Sequence, residues 1–368
     1  MKSRNEIQQE IIDSLSIPSH GLLQLSPRIG KTKLGIDIIK REKPKKVLWV
    51  TPNTKLRDED IPAEFKQWKA LRYLSKTDII CYASLSNHTG NYDKVILDEY
   101  QDLTVANAEP LLNGKIKYKT ILGLSGTHPK HKDKQNLYDT LKLKSLSKMT
   151  IDEAVENKLI APYKIKVIEL DLDVKDKYIK AGSKTKPFMQ TEKARYDYLT
   201  RLINIKLFSG QPVPKFFYLN RMRFLYNLKS KHEFAKKLIK KLEGRTLIFT
   251  GSIAQAEDLC KNTYHSKTDD KLLKKFLEGN IQQLACVNAG GVGYTYRGVK
   301  NFVITQINSN SKGDSTQKIA RSLVLQDGYV ATIYILVVRN TVDEDWLKKV
   351  LQDFNNENIE YISSKNYE

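Results

Sequence analysis

Ser26-Pro27-Arg28-Ile29-Gly30-Lys31-Thr32 stands between an apolar, strand-like run over 21–26 and a stretch in which Leu34, Ile38 and Ile39 share one helical face. A strand that turns tightly into a helix at Gly-Lys-Thr has the chemistry of a phosphate-binding loop. Backbone N–H groups and the positive end of the helix concentrate potential on a phosphate, and the lysine adds a mobile charge. The hydroxyl of Thr32 suits Mg²⁺. The full pattern GxxxxGK[ST] would need glycine at position 25, where this chain has Leu25. Gly-Lys-Thr also arises by chance in a basic protein, so its weight here comes from the strand–loop–helix setting.

Outward from this loop the first 150 or so residues alternate strand and helix. Apolar runs at 47–51, 79–82, 95–98 and 120–125 read as strands, and 6–15 has helical periodicity. Such alternation predicts a parallel sheet wrapped by helices, with functional loops at the carboxyl ends of the strands. A second block with the same rhythm starts near Gly244. It has strands at 246–250, 284–287, 302–306 and 330–337, and helices at 253–261, 269–277, 315–324 and 343–354. Two α/β lobes are therefore expected. The expected boundaries are 1–150 for the first lobe, 151–241 for a basic connector or helical insertion, 242–340 for the second lobe, and 341–368 for a closing helix and tail.

Within the connector, 164–170 is strand-like, 181–183 and 210–214 read as loops, and 221–228 and 233–242 as helices. Over 171–240 there are about 17 Lys/Arg against about 6 Asp/Glu, a density suited to phosphate contacts. Tyr196, Tyr198, Phe216, Phe217, Tyr218, Phe224 and Tyr226 lie among these cations. Two readings stay open: stacking platforms for single-stranded nucleic acid, and the ordinary core of a helical element.

The whole chain carries 62 Lys+Arg against 42 Asp+Glu, a net charge of +20, which points to polyanionic partners. With 40% hydrophobic and 28% charged residues it is a folding sequence rather than a disordered one. No run approaches the roughly 18 apolar residues of a membrane span, and Met1-Lys2-Ser3-Arg4-Asn5-Glu6 lacks the apolar core of a secretory signal. Cys81, Cys260 and Cys286 form no CxxC pair and are odd in number, so free buried thiols in a reducing cytoplasm are expected. His128 and His265 lack partners at metal-ligand spacing, and no zinc site is expected.

A second chemical signal lies at Val95-Ile96-Leu97-Asp98-Glu99-Tyr100-Gln101. A buried strand ending in two carboxylates is costly unless the charges meet a cation or a reactive water. Asp98 at the strand tip suits the Mg²⁺ shell, and Glu99 is placed to polarise an attacking water.

The ordered series of these segments resembles superfamily 2 helicases and translocases, especially compact phage-type helicases and Swi/Snf-like motors, from about Gln8 to Val350. The resemblance implies two tandem RecA-like parallel-sheet domains of the P-loop NTPase class. It makes Gln8 the glutamine that reads adenine, and Gly30, Lys31 and Thr32 motif I, with Arg28 where a glycine is usual. Thr51-Pro52-Asn53 is similar to motif Ia, and Tyr82-Ala83-Ser84 to the next strand-end segment; both would touch the nucleic-acid backbone. Asp98-Glu99-Tyr100-Gln101 resembles motif II, and Ser125-Gly126-Thr127 motif III, which couples the ATP site to the strand. In the second lobe Thr250-Gly251-Ser252 resembles motif IV and Ala289-Gly290-Gly291-Val292-Gly293 motif V. Gln317-Lys318-Ile319-Ala320-Arg321 resembles motif VI, which carries arginine fingers. A second arginine is usual three residues beyond the first, where this chain has Val324. Residues 150–155 and 159–163 are similar to the segment that leads out of the first lobe in phage-type relatives.

The resemblance implies an ATP- and Mg²⁺-dependent, monomeric motor that moves along or remodels DNA, single-stranded or branched. ATP would lie between the lobes with Arg321 reaching its γ-phosphate on closure. A role in replication, recombination or repair, in a host cytoplasm if phage-encoded, goes with it. Three alternatives remain: a duplex translocase that never separates strands, an RNA helicase, and a nucleic-acid-binding protein with a decayed ATP site, the last motivated by Arg28 and Val324. No further carboxylate–lysine cluster points to a nuclease.

Overall fold

Val47–Thr51, sequence VLWVT, has a branched or aromatic side chain on both faces, and all five residues are buried. A strand buried on both faces suits a parallel sheet covered by helices on both sides, and its pairings with the neighbouring strands are parallel. The computed structural model describes residues 2–26, 28–126, 129, 131–287, 296–307, 319, 323–325 and 328–367. Two units emerge, Met1–Ile160 and Ala161–Glu368.

In the first unit the strands are β1 (Gly21–Gln24), β2 (Val47–Thr51), β3 (Thr77–Cys81), β4 (Gly90–Asp98), β5 (Ile116–Ser125) and β6 (Ser145–Lys148). They lie in the order β3-β2-β4-β5-β1-β6, every pairing parallel. Because β5 is inserted between β1 and β4, Gln24 pairs with Ser125 and Asp98 with Leu124. The carboxyl ends of β1, β5 and β4 thus form one crevice, at the point where successive connections leave in opposite directions.

Helix α1 (Arg4–Ser14) begins with a capping box in which Ser3 and Glu6 satisfy each other's backbone N–H groups. Helix α2 (Lys31–Glu42) buries Leu34, Ile36, Ile38 and Ile39 against the sheet. Gly35 allows the close approach: a Cβ there would stand 2.8 Å from the Trp49 ring and 3.1 Å from Leu124. At the far end of α2, Glu42 meets Lys94 of β4 at 2.6 Å, and both are buried. Ser19 completes the arrangement, accepting from Lys94 at its carbonyl (3.0 Å) and donating to Glu42 through its hydroxyl (2.6 Å). Burial pulls the Lys94 ammonium below its ordinary pKa, and the Glu42 carboxylate opposes that pull.

In the second unit the strands are β7 (Tyr163–Leu170), the antiparallel pair β8 (Ile179–Gly182) and β9 (Pro187–Gln190), then β10 (Thr246–Thr250), β11 (Thr263–Tyr264), β12 (Gln283–Val287), β13 (Asn301–Ile304), β14 (Ala331–Val338) and β15 (Ile359–Ser363). The large sheet runs β11-β12-β10-β13-β14-β7-β15, again parallel throughout. The strand-like run at 164–170 is therefore part of this sheet, between β14 and β15. Helices Glu192–Phe208, Lys215–Tyr226 and Lys229–Lys241 supply the basic helical element between β9 and β10. Lys231 and Asp343 form a second buried ion pair at 2.9 Å.

The two parallel-sheet domains expected from the sequence are present. Strands β6, β11 and β15 and the β8–β9 pair are additions to it, and all are short. β6, sequence SLSK, is at most half-buried along its length and has no apolar run to read. The expected helix at 315–324 lies outside the described residues apart from 319, 323 and 324. Cys81, Cys260 and Cys286 are free and buried. Among the described residues no helix is long and apolar enough to cross a membrane.

Candidate functional site

The loop between β1 and α2 is shaped by left-handed backbone. Gly30 has φ 87° and caps the helix, and Arg28 has φ 66°. A side chain at φ near +60° costs about 1–2 kcal/mol that glycine does not incur, which explains why glycine is usual where Arg28 stands. Gln8 of α1 is buried against this loop. Its Nε2 donates to the Ile29 carbonyl at 2.5 Å, and its Oε1 accepts from Lys33 at 2.8 Å. A Cβ on Gly30 would stand 2.6 Å from Gln8 Nε2 and would push that amide aside, while the left-handed φ itself favours glycine there. Both ends of the Gln8 amide are thus engaged with the loop and with α2. Lys31 and Thr32, the first two residues of the helix, are half-buried.

Across the crevice, Val95, Ile96 and Leu97 are wholly buried, and the strand delivers Asp98 and Glu99 at its end. Glu99 takes φ 53°, a strained conformation for a non-glycine residue. Its carboxylate lies 3.3 Å from Lys31 Nζ. Gln101 Nε2 donates to Glu99 Oε2 at 2.9 Å, and Ser125 Oγ reaches the same oxygen at 3.4 Å. Ser125 also donates to Gln101 Oε1. The ends of β4 and β5 and the start of α2 are therefore joined by one polar network: Lys31, Glu99, Gln101 and Ser125.

Asp98 is buried, and its carboxyl is pushed up to about 7. Burial is the main cause and the neighbouring Glu99 charge the second; Lys31 pulls the other way. The surrounding charges do not fully compensate this carboxylate. Oxygen donors from Asp98 and the Thr32 hydroxyl are the set a hard divalent cation prefers.

The remaining strand-end residues divide by exposure. Thr51 is fully buried, and among the described residues its hydroxyl has no hydrogen-bond partner. Tyr82 is buried and donates to the Asp98 carbonyl at 3.0 Å, so it supports β4 from within. Ser125 is buried in the network above. Pro52 and Asn53 are half-exposed and Ser84 is exposed. Asn53 Oδ1 also accepts from Leu56 N at 3.0 Å, which orders the turn after β2. Of the first-lobe residues expected to touch a nucleic-acid backbone, Pro52, Asn53 and Ser84 reach the surface, whereas Thr51, Tyr82 and Ser125 face inward in this conformation.

In the second lobe Thr250 is buried and donates to the Ser252 carbonyl at 3.3 Å. The N–H of Gly251 donates to Gln255 Oε1 at 3.2 Å, and Gln306 Nε2 donates to the same oxygen. A Cβ on Gly251 would overlap Gln306 Oε1, so a side chain there would displace the Gln306 amide from Gln255. The amides of Gln255 and Gln306 were not singled out by sequence. A polar residue closing the apolar run at 302–306 was the available signal for Gln306. Thr127, Ala289, Gly290, Gly291, Gly293, Gln317 and Arg321 lie outside the described residues. Val324 is a buried apolar side chain.

No family model matches the chain, and no curated protein matches its sequence. Solved structures do match. The ATP-dependent Type ISP restriction-modification enzyme LlaBIII bound to DNA is similar over 99% of this chain, with TM-score 0.61 and 12% identity. The chain spans 31% of the length of that enzyme. S. cerevisiae Dbp5 bound to RNA and ADP BeF3 is similar over 98% of this chain and 90% of its own, with TM-score 0.56 and 12% identity. The Pyrococcus furiosus Hef helicase domain is similar over 94% of this chain and 96% of its own, with TM-score 0.54 and 12% identity. At that identity the likeness is one of fold: the chain has two tandem RecA-like parallel-sheet domains.

Proposed function

We propose that the chain is a nucleic-acid-dependent ATPase of the superfamily 2 helicase type, acting on DNA. The observation that carries this reading is the network of Lys31, Glu99, Gln101 and Ser125 at one crevice, beside the buried carboxyl of Asp98. Solved neighbours of the same fold are bound to DNA or to RNA, one of them with ADP BeF3, which supports both ligands.

In this reading Lys31 leaves Glu99 to hold the triphosphate, and the backbone N–H groups at the start of α2 take the phosphate oxygens. Thr32 and Asp98 hold Mg²⁺, which supplies charge neutralisation at the phosphates when bound. Glu99, freed from the lysine, accepts a proton from the attacking water, and Gln101 and Ser125 keep its carboxylate aimed. Arg321 supplies transition-state charge. The φ of Glu99 fits such a role, since strained backbone concentrates where a side chain must be aimed.

Glu99→Gln is expected to bind ATP normally and hydrolyse it about 10²- to 10⁴-fold more slowly. Wild-type turnover is expected to rise with added nucleic acid and to lose that stimulation steeply with salt. Turnover indifferent to DNA and RNA, or unimpaired in the variant, refutes the proposal. Comparing DNA with RNA in that assay, and strand displacement with triplex displacement, separates the helicase from the RNA-acting and duplex-translocating alternatives. Binding of nucleic acid without any turnover would select the decayed-site reading, which Arg28 at φ 66° favours.

A further inference from the structure

The helices Glu192–Phe208 and Lys215–Tyr226 form a hairpin on the second lobe whose base is fastened and whose tip is apolar. At the base, the buried carboxylate of Glu192 accepts from Asp173 N (3.0 Å), Tyr178 Oη (2.5 Å), Ser230 N (3.0 Å) and Ser230 Oγ (2.7 Å). Tyr196, also buried, accepts at its hydroxyl from Val342 N at 2.9 Å. The two helices touch along their length, with Arg221 donating to Thr200 at 3.4 Å.

The tip shows the opposite pattern. Ile205, Leu207, Phe208, Phe216 and Leu219 are all exposed, Phe208 at 90%. The turn that carries them is nonetheless ordered. Ser209 N and Gln211 N donate back to Ile205 O and Lys206 O at 3.1 Å, and Pro212 and Pro214 restrict the return. Phe216 and Phe217 stack with ring centroids 4.1 Å apart. A patch of exposed apolar side chains this dense marks a contact surface.

Charge selects the occupant. From Tyr198 to His232 the chain contains no aspartate or glutamate, while Arg201, Lys206, Lys215, Arg221 and Arg223 fall within it. An apolar protein surface carries no reason for that exclusion, whereas a polyanion whose bases present flat apolar faces meets both conditions. We propose that this tip is a stacking surface for unpaired bases of single-stranded nucleic acid, with the flanking cations on the phosphates. The inference rests on the motor reading and extends it, assigning to the hairpin the grip on unpaired bases that backbone contacts at strand ends do not supply.

The test measures affinity of the full chain, and of Phe208→Ala and Phe216→Ala, for oligo(dT), oligo(rU) of the same length, and a blunt duplex. Each variant is expected to bind the single strand about tenfold more weakly, with the salt slope unchanged because phosphate contacts remain. The duplex is expected to be unaffected, and Phe208→Tyr to restore the loss. A loss on either oligonucleotide supports the proposal and identifies the preferred sugar. Unchanged affinity for both overturns it. So does a phenotype confined to self-association or to phosphatidylserine vesicles. Thermal melting verifies that each variant is folded. Should the wild-type chain bind oligonucleotides without stimulated ATP turnover, the motor reading fails, and the tip still stands or falls on the affinities alone.

Discussion

The two lobes share a parallel sheet but finish their central strands in different chemistry. In the first, β4 and β5 end in Asp98, Glu99 and Ser125, and Lys31 answers them across the crevice. In the second, β10 and β13 end in Thr250, Thr305 and Gln306, and the contacts are made by hydroxyls and the amides of Gln255 and Gln306. Amides and hydroxyls shape a loop without holding net charge, so among the described residues the proposed cation-binding and water-activating chemistry falls to the first lobe. Below these rims the lobes converge again. Among the described residues each carries a lysine–carboxylate pair with largely buried side chains, Lys94 with Glu42 and Lys231 with Asp343. The first pair ties the end of α2 to β4, the two elements that carry the crevice. The second ties Lys229–Lys241 to Val342–Leu351, both within the second lobe.

This difference in purpose should separate under mutation. Lys94→Met and Lys231→Met each leave a buried carboxylate unpaired and are expected to cost about 3–5 kcal/mol in denaturant unfolding. Replacing both partners, as in Lys94→Met with Glu42→Leu or Lys231→Met with Asp343→Leu, should recover most of that loss. Only the first double variant is then expected to turn over ATP more slowly, because its pair positions α2 against β4. Equal turnover in both would break the contrast.

A smaller effect is expected from Asp98. Its carboxyl is pushed up to about 7 by burial, so the metal-free folded state keeps a proton that the unfolded chain releases near pH 4. The stabilisation from that proton is present below pH 4 and is lost as pH rises toward 7. The slope is at most about 1.4 kcal/mol per pH unit. Melting of the first lobe in chelator should show this fall in the wild type and lack it in Asp98→Asn. Smaller again is Gly35→Ala, whose methyl would press on Trp49 and Leu124. It is expected to cost about 1–3 kcal/mol by overpacking, read as a lower melting temperature, and would sharpen the contrast if ATP affinity falls with it.

The parallel strands around Gly-Lys-Thr and Asp-Glu were legible because each is a short apolar run buried on both faces, bounded by a polar turn. Edge strands such as β6 and β15 were not, since an edge needs few apolar residues. Residue types at the crevice were legible for the same reason as the strands: Asp98 and Glu99 close a run that has no other use for two carboxylates. Which strand-end side chains point inward was not legible. Thr51 and Tyr82 are buried while Asn53 and Ser84, two residues further along in each case, reach the surface, and local backbone turns set that choice.

Read alone, the amino-acid order determined the repeating strand–helix rhythm, the glycine and lysine at the loop, the paired carboxylates and the acid-free basic stretch, because each is a property of neighbours along the chain. Folding decided what depends on distant segments meeting. It inserted β5 between β1 and β4, clasped Lys31 to Glu99, turned the Gln8 amide onto the loop, and left the Phe208 tip bare while burying Tyr196 beneath it. Those outcomes depend on how sheets and helices pack in three dimensions, where a residue's partners are chosen by shape and burial rather than by spacing in sequence.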